Sequence, residues 1–492
     1  MNPKETLRAA MHRPLARMPI VKGPLPPAID ADSTALDAPV NLGSVGLSGF
    51  DGAANDDALL DFASGPPPLL TLDDKGGLPI SPERFYQDVA ADALEILGSL
   101  ARYRFEGPWS RKADEERRIL GLVDAILATG EGSPAFLGAE WKQAASSPDP
   151  WKTWASAFAL ASVLGEEALS AIMGGLSAIP PDSLAHVALA AEAIAQVSRP
   201  DAAALEERLG ASEHPVCRAV VLDLRARRGL VDAKKIAAAL AAPEPALVDT
   251  ALRLLDRAPE SYEAVREQVN TLLAHPSRVI AWRAARAMTL NGDDRAFHAV
   301  LAGDPLTARL GPFALELFVL AGKPPHLRAM DRVASAMKTT PAILSAIGRF
   351  GHPRTFTFLT FALQDAALAE AAADALETLF GDIVPRKERT RPDAWSRAVA
   401  ARKVDPDSRL RRGAPWSPAI LAAEIQTGTL NRAAIAARAD ELRCRAGLSA
   451  ILDLGAWGED ADASVGALVR MALSSDGGDL VCKALSSEEG AR

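Results

Sequence analysis

Five arginines carry the strongest hint of chemistry in this 492-residue chain. Arg225, Arg257 and Arg286 stand ten, twelve and ten residues after Pro215, Pro245 and Pro276, with Arg253 and Arg283 close by. Guanidinium groups at a nearly constant offset from successive helix starts would align on one face of stacked units, where their planar forks can grip carboxylates. They form a candidate binding ridge for a partner protein or an acidic peptide. The plainer alternative is that helix ends gather cations against the macrodipole. Trp282, next to Arg283, also raises the stacking of a nucleic-acid base in a basic groove. It falls within a helical apolar pattern, however, and the chain carries 63 acidic against 54 basic residues, so core packing is the simpler expectation.

Catalytic signatures are missing. There is no HExxH, no GxxxxGK[ST], and no GxGxxG following a strand, while Gly43 to Gly49 lacks the spacing of a nucleophile elbow. The seven histidines, His12, His186, His214, His275, His298, His326 and His352, include no pair at i, i+3 or i, i+4 that could ligate a metal from one helix. His214, His275, His326 and His352 sit beside breaker prolines and glycines, where an imidazole can bond a free backbone group at a helix start. Cys217, Cys444 and Cys482 lie far apart and form no CxxC. The expectation is a non-enzymatic protein with no catalytic residues, cofactor or metal, in a reducing, cytoplasmic compartment.

The elements that would position the ridge follow from composition and period. Hydrophobic residues make up 48% and aromatics only 5%, which favours closely approaching helices over pleated sheets. Pro215, Pro245, Pro276 and Pro305 recur at 30, 31 and 29 residues, and Gly292, Gly322, Gly351 and Gly381 at 30, 29 and 30. A proline opens one helix, a glycine closes it, and a shorter helix returns. This predicts an all-α fold, an α-solenoid of HEAT-like helix pairs over residues 81–381, in which no unit is stable alone. It begins at Ser81 with a long helix to about Phe105 and a second helix from Asp114 to Thr129, closed by Gly130.

Three further regions flank the array. Residues 1–80 combine a basic start (Lys4, Arg8, Arg13, Arg17 and Lys22 against Glu5) with a stretch from Gly23 to Ile80 holding nine aspartates and one lysine. The latter is expected to be a disordered acidic, Pro/Gly-rich extension. Residues 382–415 read as a connector with ten basic and five acidic residues and a helix around Trp395, able to rest on the acidic extension. Residues 416–473 read as a helical terminal cap, and 474–492 as a frayed tail. The start shows no apolar run of the kind a cleaved signal needs. The longest nearly uncharged stretches, Ala168 to Pro181 and Leu310 to Gly322, fall short of the roughly 20 residues that span a bilayer, so no membrane association is expected.

One resemblance accompanies this reading. Between Asp88 and Leu160, "DVAADALEILGSLARYRFEG", "ERRILGLVDAILATGE" and "WKTWASAFAL" are similar to the opening of a bacterial HEAT-repeat family often encoded near type VI secretion clusters. "GRFGHPRTFTFLTFALQDAALAEAAADALETLFGD" and "LRRGAPWSPAILAAEIQTGTLNRAAIAARADEL" resemble its last repeats and closing element. The resemblance implies a scaffold or adaptor accessory to a secretion machine and carries no catalytic residue over. The alternative from another class is a HEAT-fold nucleic-acid binder or a DNA glycosylase-like enzyme using Arg225, Trp282 and Arg286.

Overall fold

Proline at the first helical position, with an oxygen-bearing side chain just before it, starts many of this protein's helices. In the computed structural model, which describes residues 82–128, 134–303, 305–448, 452, 454–457 and 459–475, Asp149 accepts from the Trp151 amide at 3.1 Å, and Thr340 and Ser417 cap the Ile343 and Ile420 amides. Each cap satisfies a backbone donor that the helix leaves open, and each proline has no donor to lose. The described residues are all-helical apart from one short hairpin, and none of their helices is long and apolar enough to cross a membrane.

Long helices α1 (Pro82–Glu106) and α2 (Lys112–Ala128) are followed by α3 (Pro134–Ala145), α4 (Pro150–Ala161), α5 (Glu166–Ala178), α6 (Leu184–Gln196) and α7 (Ala202–Ala211). Next come α8 (Pro215–Arg227), α9 (Ala233–Leu240), α10 (Pro245–Leu254), α11 (Tyr262–Thr271), α12 (Arg278–Leu290), α13 (Arg295–Ala302) and α14 (Pro305–Leu310). The run ends with α15 (Phe313–Ala321), α16 (Leu327–Ser335), α17 (Pro341–Phe350), α18 (Phe356–Ala362) and α19 (Ala369–Phe380). Helices α4, α6, α8, α10, α12, α15, α17 and α19 form a row in which each packs on the next. Their contacts run through small residues: a Cβ on Gly348 of α17 would stand 2.7 Å from the Ala375 carbonyl of α19. One apolar core extends along this row from Leu94 to Leu410.

After the row come α20 (Pro392–Ala400), the hairpin β1 (Leu410–Arg411) and β2 (Ala414–Pro415), α21 (Pro418–Gln426), α22 (Arg432–Ala446) and α23 (Glu459–Ser475). Gly351 explains where the hairpin sits. Its φ of +79° favours glycine, and a Cβ would meet the Leu410 carbonyl at 2.4 Å. Without that Cβ, the Leu410 amide donates to the Gly351 carbonyl at 2.7 Å.

Several local expectations need correcting. The stretch 416–473 does not simply cap the end of the row, because α22 packs against α12 and α15 in its middle. Ser474 and Ser475 belong to α23, with the Ser474 hydroxyl donating to the Arg470 carbonyl at 2.9 Å. Trp109 packs with the smaller C-terminal core, and its indole donates to Asp462 at 2.9 Å. Within 382–415, Arg389 pairs with Glu370, Asp374 and Glu377 of α19, and Trp395 is fully buried in α20. The acidic extension 1–80, Ser81, Gly130 and the tail beyond Ser475 lie outside the described residues.

Candidate functional site

The face of α8, α10 and α12 that looks toward α22 is built from aspartates and arginines at helical and repeat spacing. Asp223 accepts from Arg227, four residues on, at 2.7 Å, and Arg253 of the next unit approaches it at 3.5 Å. Asp249 accepts from Arg253 at 3.1 Å and pairs with Arg283 of the following unit. Asp256 accepts from Arg286 at 2.7 Å. The pairs Asp223/Arg253 and Asp256/Arg286 are each separated by 30 residues, one period of the sequence. The repeat therefore generates an ion-pair ladder running across the row.

The aspartates lie deep and the arginines cover them. Asp223 and Asp249 are 3% and 2% exposed, against 20% for Arg253 and 32% for Arg283. Burial pushes the Asp223 carboxyl up, but Arg227 and Arg253 outweigh that and hold it below the usual carboxylate range. For Arg283 burial is the larger influence and lowers its pKa, whereas Asp440 and Asp256 overcome burial and raise that of Arg286.

Helix α22 supplies the opposite wall. Arg286 makes a bidentate pair with Asp440 at 2.8 and 2.7 Å, so its guanidinium is held from both sides. Arg432 donates to Glu192 of α6 at 2.6 Å and stacks over the Phe105 ring at 4.2 Å. Arg443 donates to Asn291 at 2.8 Å. Arg445 reaches the Val319 and Gly322 carbonyls, both at 2.9 Å, where the C-terminal end of α15 leaves acceptors open. Beneath α22, Arg411 grips Glu424 at 2.6 and 2.7 Å, Arg438 adds a third bond at 2.9 Å, and fully buried Glu441 lies 3.8 Å from Arg411. Burial pushes the Glu424 carboxyl up, but these two arginines win and hold it at about 2.

Between the ladder and α22 lies a cavity of about 830 Å³. Eight arginines and six carboxylates line it, together with alanines of α22. Trp282 is half-buried on its wall and stacks on Phe313 with ring centroids 5.3 Å apart. Compared with known proteins, the chain matches no family model and no curated protein.

Of the five arginines singled out by spacing, Arg253, Arg257, Arg283 and Arg286 line this cavity. Arg225 does not. It turns to the other side of α8, where its Nη2 stands 3.1 Å from the place a Cβ on Gly210 of α7 would occupy. Two residues along a helix rotate a side chain by about 200°, so Arg227 stands in the ladder and Arg225 cannot. Sequence reasoning also missed the acidic half, Asp223, Asp249 and Asp256. The signal was present as Asp-x-x-x-Arg at 223–227 and 249–253, with an arginine one period further on. Asp440, Glu192 and Arg432 had no local signal, since their partners lie more than a hundred residues away.

Three of the four histidines at helix starts engage backbone: His275, His326 and His352 accept through Nδ1 from the Ser277, Lys323 and Arg354 amides. His214 Nδ1 has no partner. Among the described residues no three His, Cys, Asp or Glu side chains converge as a metal site.

Proposed function

We propose that the chain is a non-enzymatic scaffold or adaptor, an α-solenoid of HEAT-like helix pairs, that holds a segment of a partner protein or an acidic peptide between its inner row and α22. The row of successively packed helices and the 30-residue ladder support the solenoid reading. The observation that carries the function is this cavity of about 830 Å³, where arginines outnumber carboxylates eight to six and Trp282 with Phe313 offers an aromatic wall. Such a lining suits an extended segment with a slight excess of acid and one apolar anchor. A role accessory to type VI secretion rests on the resemblance of the outer repeats, and a reducing, cytoplasmic compartment on the scattered cysteines.

Nothing in the geometry favours the nucleic-acid reading. Arg225 lies outside the cavity and Arg286 is engaged by two carboxylates, so two of the three residues that reading needs are not placed to hold a phosphate. The test is affinity purification from native cells with the wild-type chain and Ala437→Trp, which places a bulky ring in the cavity from α22. A partner recovered with the wild type and depleted several-fold with the variant supports the groove. Equal recovery places the binding surface elsewhere.

A further inference from the structure

Helix α1 buries one side and leaves an apolar line on the other. Ala90, Leu94, Leu97 and Ala101 face the core, while Val89, Ile96 and Tyr103 are 42%, 54% and 65% exposed. These three are spaced by seven residues, which on a helix drifts only about 20° per step, so they form one stripe rather than scattered surface residues. Acidic side chains flank it on one side: Asp88, Asp92 and Glu95 are all exposed. Glu95 pairs with Lys152, and Arg102 with Glu106, but no ion pair among the described residues engages Asp88 or Asp92. An apolar line edged by uncompensated carboxylates fits an occupant with apolar residues at helical spacing and a basic edge.

One segment of this chain has that composition. Residues 4–18 read KETLRAAMHRPLARM, with Leu7, Met11, Leu15 and Met18 at spacings of four, four and three. Lys4, Arg8, Arg13 and Arg17 oppose a single Glu5. The apolar island around Leu59, Leu60 and Phe62, by contrast, sits among Asp56, Asp57 and Asp61 and would be repelled by the α1 carboxylates. We propose that residues 4–18 dock on the Val89–Ile96–Tyr103 stripe of α1 in the same molecule, with Arg8, Arg13 and Arg17 set against Asp88 and Asp92. About seventy residues join the two, enough to reach, and the tether keeps the effective concentration of the segment high. This surface is separate from the groove against α22.

The full-length chain carrying benzoylphenylalanine in place of Tyr103, and separately of Ile96, is irradiated and digested, and the cross-linked peptides are identified by mass spectrometry. The expected product is an intramolecular link to a peptide within residues 1–22. Reversing Arg8, Arg13 and Arg17 to Glu should lower its yield by about fivefold or more, and Asp88→Lys with Asp92→Lys in that same chain should restore it. All these positions lie on exposed surface or in the N-terminal segment, and an unchanged melting curve verifies that the fold is intact. Links to residues 51–62, to a second copy, or to no peptide at all overturn the proposal, as does a yield indifferent to charge reversal.

Discussion

The ladder on α8, α10 and α12 and the cluster beneath α22 are made of the same groups, aspartate or glutamate against arginine, yet they do different work. In the ladder Asp223 and Asp249 are each shared between an arginine of their own helix and one of the next, and the guanidinium stems remain partly in water. Removing one rung leaves substitutes nearby. In the cluster, Arg411 and Glu441 are wholly buried, Glu424 and Arg438 nearly so, and no water-facing alternative exists. Arg411 and Arg438 face Glu424 and Glu441 there, with buried Arg409 close to Glu441, and deleting one charge strands the rest in a low-dielectric interior. The repeat can lose a rung and keep its form, whereas the C-terminal region depends on these charges together.

The sharpest way to break that contrast is Glu424→Gln, which keeps shape and removes the charge that Arg411 and Arg438 share. The expected loss is about 3–5 kcal/mol, the usual cost of breaking a buried pair. Hydrogen exchange over α21–α23 reads it directly. Acid should do the same to the wild type. The Glu424 carboxyl is held at about 2 in the folded chain, below its ordinary 4.5. Its stabilisation is therefore complete above pH 4.5 and is lost as pH falls through that window toward 2. The Glu424→Gln chain should show a flatter decline over the same range; equal slopes would mean that the cluster is not the acid-labile element.

Arg286 joins the two regions and should give an intermediate effect. Arg286→Met leaves Asp256 and Asp440 without their shared cation, for an expected cost of about 2–3 kcal/mol. Cys444 reports on the result. Its thiol lies 3.6 Å from the Thr289 carbonyl, and burial pushes its pKa up to about 12, so it should resist thiol reagents while α22 is seated. In a Cys482→Ser background, labelling of Cys444 should rise several-fold in Arg286→Met. A thiol as inert as before would show that α22 is held without this pair.

How much of this was legible in the sequence depends on distance along the chain. Prolines at helix starts and glycines at their ends mark the helices locally, and the interval near 30 residues gives the offset at which Asp223 meets Arg253 and Asp256 meets Arg286. The placement of α22 was not legible. Asp440 finds Arg286 across 154 residues and Arg432 finds Glu192 across 240, and such pairings follow from how the chain end folds back, which no short pattern encodes. Counting from prolines was also too coarse, because an error of two residues moves a side chain to the opposite face of a helix. That is how Arg225 entered the ridge in place of Arg227.

The two smallest effects separate those neighbours. Asp223→Asn removes a rung whose two arginines are partly solvated, and a loss of about 1 kcal/mol is expected, smaller at high salt. Arg227→Met should cost a similar or lesser amount, because Arg253 remains beside Asp223. Arg225→Met should leave stability within about 0.5 kcal/mol of wild type, as for an ordinary surface change. It should also leave any partner bound in the cavity untouched, whereas Arg257→Met, on the cavity wall, should weaken that partner. Urea midpoints for the three stability variants and partner recovery for Arg225→Met against Arg257→Met measure these differences. Partner loss with Arg225→Met and none with Arg257→Met would mean that binding occurs on the far side of α8, over Gly210, and that the ladder serves the fold alone.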